Sequence, residues 1–249
     1  MTLEAESVGK RFGGVEALKG VSLSLAEGHI VGLIGPNGSG KTTLLNCLSG
    51  VFPATSGRIS IDGRLLSGAT HKAARRGVVR TFQNIRLFGR LTALQNVEAG
   101  ALGAGRVARR RSRSYGEQVL EQLGIAPLAD RFAETLSYGD QRRVEIARAL
   151  AARPRYLLLD EPAAGMNDAE SDELAGSIER IRGDHGCGVL VVEHDLRLIM
   201  RVCESIVVLN EGDVISRGRP DEVRADPVVV AAYIGTEVPS GDTTNGGGT

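Results

Sequence analysis

The chain has 249 residues, and 42% of them are hydrophobic, which is enough for one large core with a smaller lobe attached. Thirty basic and thirty acidic side chains cancel, so composition gives no general attraction to nucleic acid. No apolar run is long enough to cross a bilayer and no signal-peptide pattern opens the chain, so we expect a soluble cytoplasmic protein. Cys47, Cys187 and Cys203 lie in apolar contexts and predict reduced core thiols.

The first third of the chain predicts short strands separated by glycine turns, with one helix among them. The predicted strands are residues 22–25, 29–34, 58–62 and 78–82, and the predicted helix is 41–49. A glycine-rich turn of the form GxxxxGK[ST] joins strand 29–34 to this helix. Such a turn points successive backbone N–H groups at a polyphosphate, and the positive end of the following helix adds attraction for the anion.

This turn predicts a nucleoside triphosphate site, because its lysine and hydroxyl residues stand in the required register. Lys41 supplies a cation for the β- and γ-phosphates, and the hydroxyl of Thr42 is placed to ligate Mg²⁺. The alternative is an ordinary strand-to-helix turn without a ligand. The residues predicted to hold the phosphates are Gly35, Pro36, Asn37, Gly38, Ser39, Gly40, Lys41, Thr42 and Thr43.

The middle of the chain has a helical pattern, with predicted helices at 92–100, 114–123 and 137–152 and an exposed break at 103–113. Predicted strands resume at 156–160, 189–192 and 205–209, and a predicted helix at 168–182 repeats apolar residues at Leu174, Ile178 and Ile181. Strands buried on both faces and joined by helices predict an α/β fold with a largely parallel sheet. Residues 236–249 are rich in Gly, Thr and Pro, so we expect them to be disordered.

Two acids, Asp160 and Glu161, stand at the carboxyl end of the predicted strand 156–160, where ligands of open α/β sheets bind. Asp160 is expected to hold Mg²⁺, and Glu161 is placed to polarise the water that attacks the γ-phosphate. A strand that ends in a solvated acidic turn is the alternative for such a pair.

A second anion site is predicted where the motif LSYGD opens the helix 137–152. Ser137 is a plausible N-cap, so free backbone N–H groups and a positive helix end are exposed there. At this point the sequence resembles the ATP-binding cassette ATPases, because GPNGSGKT matches their Walker A motif, LSYGD their signature and YLLLDE their Walker B. The resemblance extends to about residue 235.

The resemblance implies a P-loop NTPase with a RecA-like mixed and parallel sheet core, an antiparallel β subdomain and an α-helical signature subdomain. It divides the cassette domain 1–235 into a core at 1–90 and 153–235 and a helical subdomain at 91–152, before the tail 236–249. In this family the signature of one subunit closes on ATP held by the other. The resemblance therefore implies a dimer with two composite sites, in which Ser137 and Gly139 bind nucleotide.

Other family positions are carried over in the same way. Phe12 resembles the aromatic residue that stacks on adenine, although a core phenylalanine is the alternative. Gln83 resembles the Q-loop glutamine, which reaches Mg²⁺ and the attacking water while its loop adjoins the membrane partner. His194 resembles the switch histidine that bonds the γ-phosphate, against the alternative of a structural histidine.

The chain departs from the common family pattern at three positions. Tyr138 replaces the first glycine of LSGGQ, and Asp140 replaces its glutamine. As residue N3 of the helix, Asp140 is expected to complete a capping box with Ser137. Asn167, in the stretch AAGMND that fits the D-loop at the dimer seam, stands where most members have Asp.

Several stretches resemble most the ATPase subunits of bacterial branched-chain amino acid importers: RTFQNIRLFGRLTALQNV, LSYGDQRRVEIARAL, DEPAAGMN and VAAYIG. Similar subunits serve urea and amides. The resemblance implies permease subunits, a second ATPase subunit, an indirect solute-binding protein, and a place on the inner face of the membrane. A soluble cassette ATPase that acts on nucleic acid or ribosomes is the runner-up, and a nucleotide kinase would have no use for LSYGD.

An arginine cluster in the predicted break has no assigned role in this scheme. It is either a solvated arm or a contact for anionic lipid headgroups or a permease loop. The cluster consists of Arg106, Arg109, Arg110, Arg111 and Arg113.

Overall fold

Two β-sheets organise the chain in the computed structural model, which describes residues 1–66, 68–105, 107–194 and 196–234. The strands are β1 (Thr2–Phe12), β2 (Val15–Ala26), β3 (Ile30–Ile34), β4 (Ser56–Ile61), β5 (Arg64–Leu65), β6 (Val78–Arg80), β7 (Tyr156–Asp160), β8 (Gly188–Val192), β9 (Ser205–Asn210) and β10 (Asp213–Gly218). The helices are α1 (Lys41–Leu48), α2 (Thr70–Arg75), α3 (Ala93–Gly103), α4 (Ser112–Gln122), α5 (Tyr138–Ala151), α6 (Asp168–His185), α7 (Leu196–Val202), α8 (Pro220–Ala225) and α9 (Pro227–Ile234). The predicted tail 236–249 lies outside the described residues.

The larger sheet has six strands in the order β10-β9-β3-β8-β7-β6. Its pairings are parallel from β9 to β6, and only β10 runs antiparallel, beside β9. Strands β3, β7 and β8 are buried along their whole length, as expected for strands covered on both faces. The prediction of a largely parallel sheet is confirmed, and the carboxyl ends of β3, β7 and β8 meet at one edge.

The smaller sheet is antiparallel, in the order β2-β1-β4-β5. Strand β1 has no counterpart among the predicted strands, because a bulge interrupts its alternation of buried and exposed side chains. Leu3 and Ala5 face the core, Ser7 then takes a left-handed conformation at φ 46°, and the register with β2 shifts before Val8. The bulge moves Val8 onto the buried face and ends the period of two.

The helices between β6 and β7 form at the predicted places, with changed ends. Thr92 caps α3 with a capping box, and α3 continues to Gly103. The predicted break is shorter than expected, since a 3₁₀ turn at Arg109–Arg111 leads into α4 at Ser112. Val97, Leu120 and Ile146 are fully buried where α3, α4 and α5 pack together.

Two hydrophobic clusters cover the two faces of the larger sheet. One cluster includes α1 and the inner residues of the smaller sheet, and the other includes the residues of α3 to α6. The predicted stripe Leu174, Ile178 and Ile181 of α6 is fully buried, as its spacing indicated. Among the described residues, no helix has the length and apolar character that a membrane span needs.

The three thiols are free and buried, which agrees with the predicted core cysteines. Burial raises the pKa of Cys47 to about 11, and it raises the pKa of Cys187 and Cys203 to about 12. A thiol with such a pKa carries almost no thiolate at neutral pH, so these cysteines fill space in the core.

Candidate active site

The phosphate loop between β3 and α1 needs glycine at its ends. Gly35 has φ 150° and Gly40 has φ 106°, backbone conformations that other residues rarely adopt. A Cβ atom would lie 2.0 Å from the carbonyl oxygen of Leu209 at Gly35, and 2.7 Å from that of Ala17 at Gly40. The loop is therefore held tightly against the end of β9 and the start of β2, and its conformation is fixed within the single chain.

Lys41 is the first residue of α1, and its side chain lies inside the loop. Its Nζ atom donates hydrogen bonds to the carbonyl oxygens of Gly35 at 2.6 Å and Pro36 at 2.9 Å. Burial lowers the pKa of Lys41, while the charges of Glu161 and Asp160 act in the opposite direction. Both carboxylates therefore lie in the electrostatic neighbourhood of the lysine, as the sequence predicted.

Other donors of the loop are well placed for an anion. The side chain of Ser39 is buried, and its Oγ atom has no hydrogen-bond partner within the described part of the chain. Gly40 is the N-cap of α1 and offers no side chain to the first turn of the helix. A polyphosphate would accept hydrogen bonds from the free backbone N–H groups in the first turn of α1 and from the unpaired hydroxyl of Ser39, because helix N-termini attract anions. Thr42 is exposed beside them, and Thr43 is half-buried.

Asp160 ends β7 and is held by an arginine that the sequence analysis missed. The guanidinium of Arg80, in β6, donates to Asp160 Oδ2 at 2.7 Å, and both side chains are buried. Arg80 also donates to Asn46 Oδ1 of α1 at 2.5 Å, so one cation connects the two strands to the helix of the phosphate loop. The available signal was a charged residue in an otherwise apolar strand, VVR, because a buried arginine needs a carboxylate partner.

Glu161 and Gln83, which the sequence analysis assigns to the same attacking water, lie in contact. Gln83 Nε2 donates to Glu161 Oε2 at 2.7 Å. Glu161 has φ 45°, and its N–H group donates to the carbonyl oxygen of Val192 at the end of β8. A non-glycine residue with positive φ is strained, and such strain is common at functional sites. The hydrogen bond to β8 and the strained turn fix the backbone of the residue whose carboxylate contacts Gln83.

His194 follows β8 and is mostly exposed, so the alternative of a packed structural histidine does not apply. Its neighbour Glu193 is fully buried and was missed by the sequence analysis. Glu193 accepts hydrogen bonds from the N–H groups of Ala163 at 2.6 Å and His194 at 3.1 Å. One buried carboxylate thereby connects the segment after Glu161 to the histidine, and its only sequence signal was an acid directly after a buried strand.

Phe12 lies at the end of β1 with about half of its surface exposed. Its ring contacts Phe52 edge to face at 5.3 Å, and the ammonium of Lys10 lies 5.1 Å from the Phe12 ring centroid. The alternative of a core phenylalanine is therefore wrong. An exposed aromatic face supported by a second ring suits the stacking of a flat base.

The signature residues are at the N-terminus of α5, as predicted. Ser137 Oγ accepts from the N–H of Asp140 at 3.1 Å, which confirms Ser137 as the N-cap. The predicted capping box is wrong in its second half, because the carboxylate of Asp140 pairs with Arg143 at 2.6 Å. Arg143 also pairs with Glu173 of α6, and this cation draws the carboxylate away from the N-cap amide.

The same end of α5 contacts the start of α6. A Cβ atom at Gly139 would lie 2.8 Å from Glu170 Oε1, and one at Gly165 would lie 3.5 Å from the ring of Tyr138. Tyr138 therefore covers the turn before α6 and replaces a glycine without crowding the helix end. Asn167 caps α6 in a capping box with Glu170, a role that its amide oxygen fills as well as Asp would.

A glycine loop with a buried lysine, two acids at the end of a neighbouring strand and a glutamine on one of them define a P-loop nucleotide hydrolase. The ABC transporter family profile matches residues 18–164, and a profile of branched-chain amino acid ATP-binding cassette transporters matches residues 214–239. The chain belongs to the ATP-binding cassette transporter family, and it is an ATPase of that family.

Individual relatives match this chain over most of its length. BraF of Pseudomonas aeruginosa, a high-affinity branched-chain amino acid transport ATP-binding protein, is 44% identical over 94% of this chain and 97% of its own. The structure of an ATP-binding cassette of an ABC transporter in its ADP conformation has a TM-score of 0.84 at 32% identity, covering 94% of this chain and 99% of that one. A dimeric bacterial ABC transporter cassette has a TM-score of 0.77 at 29% identity, with 88% and 98% covered. The fold is that of the cassette ATPases.

Proposed function

We propose that the chain is the ATP-hydrolysing subunit of a bacterial importer for branched-chain amino acids or related small solutes such as urea and amides. The observation that carries this proposal is the match of residues 214–239 to the branched-chain amino acid cassette transporters, beyond the part shared by the whole family. The identity of 44% to BraF along the chain supports it. The subunit would work at the inner face of the cell membrane. A role on nucleic acid has no such support, since the basic and acidic charges cancel.

Within this function, ATP binds at the phosphate loop. The ammonium of Lys41 turns from the loop carbonyls to the β- and γ-phosphates, the orphan hydroxyl of Ser39 gains a partner, and Phe12 stacks on adenine. Mg²⁺ fits the donor set of Thr42, Gln83 and Asp160, because it prefers hydroxyl, amide and carboxylate oxygens. When bound, Mg²⁺ neutralises charge that develops on the phosphates.

Glu161 accepts the proton of the attacking water, and Gln83 orients that water because it already contacts the same carboxylate. His194 bonds the γ-phosphate, and the buried Glu193 fixes the backbone N–H of His194. The water oxygen attacks the γ-phosphorus, the bond to the β,γ-bridging oxygen breaks, and ADP and phosphate leave. In this mechanism, some of these residues stabilise the charge on the phosphates and others position the attacking water.

The second half of each site comes from another ATPase subunit. Ser137 and Gly139 of one subunit meet the γ-phosphate held by its partner, since both lie at the N-terminus of α5, where Ser137 is exposed and Gly139 packs against Glu170 of α6. The dimeric structure of a related cassette supports the pairing of two subunits. In the cell the partner is either a second copy or a related ATPase subunit, as importers of this type usually pair two.

The permease subunits dock in a groove of about 680 Å³ between the larger sheet and the helices α2, α3 and α5. Its wall combines the exposed ring of Phe88 with small residues such as Gly100 and with the cations of Arg75 and Arg148. The groove includes Arg80 and Thr81, just before Gln83, so an occupant lies close to the catalytic glutamine. A conformational change in a transmembrane partner bound in this groove can therefore shift the position of Gln83.

Transport by cells tests the proposal. A bacterial strain that lacks its own BraF-type subunit is supplied with this chain, or with the inactive Glu161→Gln variant as the matched control, and uptake of radiolabelled leucine, urea and an unrelated sugar is measured. The proposal predicts that leucine or urea uptake returns only with the unmutated chain. Failure to restore either solute, with the chain present in the membrane fraction beside the permease, would refute the importer assignment.

A further inference from the structure

Three charged side chains on one face of α5 have no place in the mechanism so far. Arg142, Glu145 and Arg148 are spaced three residues apart, so they lie in a row along the helix. Arg142 is fully buried, Glu145 is 1% exposed and the Arg148 side chain is 20% exposed. Buried charges are costly unless they are paired, so this row requires specific partners.

Arg142 binds the backbone of the segment that carries the catalytic glutamine. Its Nη1 atom donates to the carbonyl oxygen of Phe82 at 2.6 Å, and its Nη2 atom donates to that of Gln83 at 2.5 Å. Nη1 also pairs with Glu145 at 2.8 Å, and Nη2 reaches the hydroxyl of Tyr138 at 3.3 Å. A planar guanidinium can hold two neighbouring carbonyl groups in this way, whereas an ammonium cannot match the geometry.

Glu145 and Arg148 hold the same segment three residues further on. Glu145 Oε1 accepts from the N–H of Arg86 at 3.0 Å, and Arg148 donates to the carbonyl oxygen of Arg86. Together with Arg142, these side chains satisfy four backbone groups between residues 82 and 86. Because each bond goes to the main chain, the row fixes the path of the segment whatever its side chains are.

We propose that Arg142, Glu145 and Arg148, which we call the α5 clamp, fix the position of Gln83 relative to Ser137. This inference rests on the proposed roles of those two residues in ATP hydrolysis. Arg142 follows Ser137 by five positions on one continuous helix, which corresponds to about 7.5 Å of helical rise. A movement of α5 therefore moves the signature residue and the catalytic glutamine together.

Two further features support positioning over simple core filling. The Nε atom of Arg142 is buried without a hydrogen-bond partner in the described residues, so the guanidinium is aimed at the two carbonyls at the cost of one unsatisfied donor. Glu145 and Arg148 also line the permease groove, so they lie between a docked partner and the Gln83 segment. Arg142 is accordingly a positioning residue, which acts through Gln83 and touches neither ATP nor water.

The first test measures the segment itself by amide hydrogen exchange of the full chain. In Arg142→Gln, we expect the amide of Arg86, which Glu145 holds, to exchange about tenfold faster, because loss of a charge-assisted hydrogen bond loosens the segment, while the amides of α1 and β3 keep their rates. Arg180→Gln is the matched control, because Arg180 also donates to a loop carbonyl, that of Leu123, away from the site. Unchanged exchange at Arg86 in Arg142→Gln would overturn the clamp.

The second test is a double-mutant cycle on ATP hydrolysis by the ATP-driven dimer, with Gln83→Ala and Arg142→Gln. We expect each single variant to hydrolyse at least tenfold more slowly, Arg142→Gln to keep its ATP affinity, and the double variant to be no slower than Gln83→Ala alone. Effects that multiply would mean that Arg142 does not act through Gln83, which refutes the proposal. An unmutated rate in Gln83→Ala would instead refute the proposed role of Gln83, and the exchange measurement would still judge the clamp.

Arg142→Lys is the conservative variant, and it replaces Arg142→Gln in both tests if the latter does not fold. Its ammonium can reach one carbonyl group but not both in the same geometry. We expect exchange and hydrolysis between those of the unmutated chain and Arg142→Gln, with ATP affinity unchanged. Exchange and hydrolysis equal to those of the unmutated chain would show that a single charge suffices and would contradict the two-carbonyl clamp.

Discussion

The phosphate loop and the signature end of α5 are both helix N-termini suited to anions, but the chain builds them differently. The loop is fixed from within: Gly35 and Gly40 adopt conformations that only glycine tolerates, and Lys41 bonds to its carbonyl groups. At the signature end, Ser137 caps its own helix, and the partly exposed ring of Tyr138 packs against the turn before α6. A single chain fixes the shape of the phosphate loop, whereas in the proposed mechanism the signature end meets a phosphate only on another subunit.

Substitutions in the phosphate loop and at the signature end should therefore impair different steps. Damage at the phosphate loop should remove ATP binding by one chain, and damage at the signature end should leave that binding intact and remove closure. Variants of the catalytic carboxylate fall between the two, because they leave both binding sites in place and stop the reaction.

The largest effect is expected for Glu161→Gln. The amide keeps the shape of the side chain but cannot accept a proton from water, so we expect hydrolysis to fall about 10² to 10⁴-fold while ATP still binds. The closed dimer should accumulate, which size-exclusion chromatography with ATP and Mg²⁺ measures. Hydrolysis at the unmutated rate would contradict the assignment of Glu161 as the base.

Lys41→Ala should have the next largest effect, at the level of binding. The ammonium contributes charge-assisted bonds to the phosphates, so we expect ATP affinity to fall about a hundredfold or more, with the fold retained. Lys19→Ala is the matched control, since Lys19 lies near the loop, with its backbone joined to Ser39 through Gly212, but its half-exposed ammonium pairs with Asp213. Isothermal titration of ATP into the monomer measures this affinity. Normal ATP affinity in Lys41→Ala would refute the phosphate-loop assignment.

Phe12→Ala tests whether the base is held by stacking. Loss of one aromatic partner should weaken nucleotide binding by roughly 1–3 kcal/mol, and by similar amounts for ATP and GTP because stacking tolerates any flat base. Phe52→Ala removes the supporting ring and should have a smaller effect in the same direction. An affinity for ATP that stays unchanged in Phe12→Ala would place the base elsewhere.

The sequence predicts the sheet edge and its residues well, for a physical reason. In the run YLLLDE, four residues of a buried strand are followed directly by two acids, so the same short segment indicates both the strand and the functional carboxylates. In the structure, Gln83 contacts the second of these acids, Glu161. Strand β1 was missed because the bulge at Ser7 breaks its alternation. The capping box at Asp140 was wrong because Arg143, one turn further along, binds the carboxylate.

Contacts between distant segments were out of reach of sequence patterns. The pairs Arg80–Asp160 and Arg142–Gln83 join residues roughly sixty to eighty positions apart, and no local period indicates them. The two arginines carry a weak signal only, since a charge in a buried strand or on the inner face of a helix must have a partner. The identity of that partner depends on strand order and helix packing.

The central claim, that Ser137 completes the site of another subunit, is tested most directly by Ser137→Ala. Thr92→Ala is the matched control, because Thr92 also caps a helix through its side chain, at α3. Both variants should lose about 1 kcal/mol of stability, the usual value of an N-cap. The account predicts that monomer ATP affinity stays unchanged in both, while ATP-driven dimerisation and hydrolysis fall more than about tenfold in Ser137→Ala alone. Equal dimerisation and hydrolysis in the two variants would contradict the composite site.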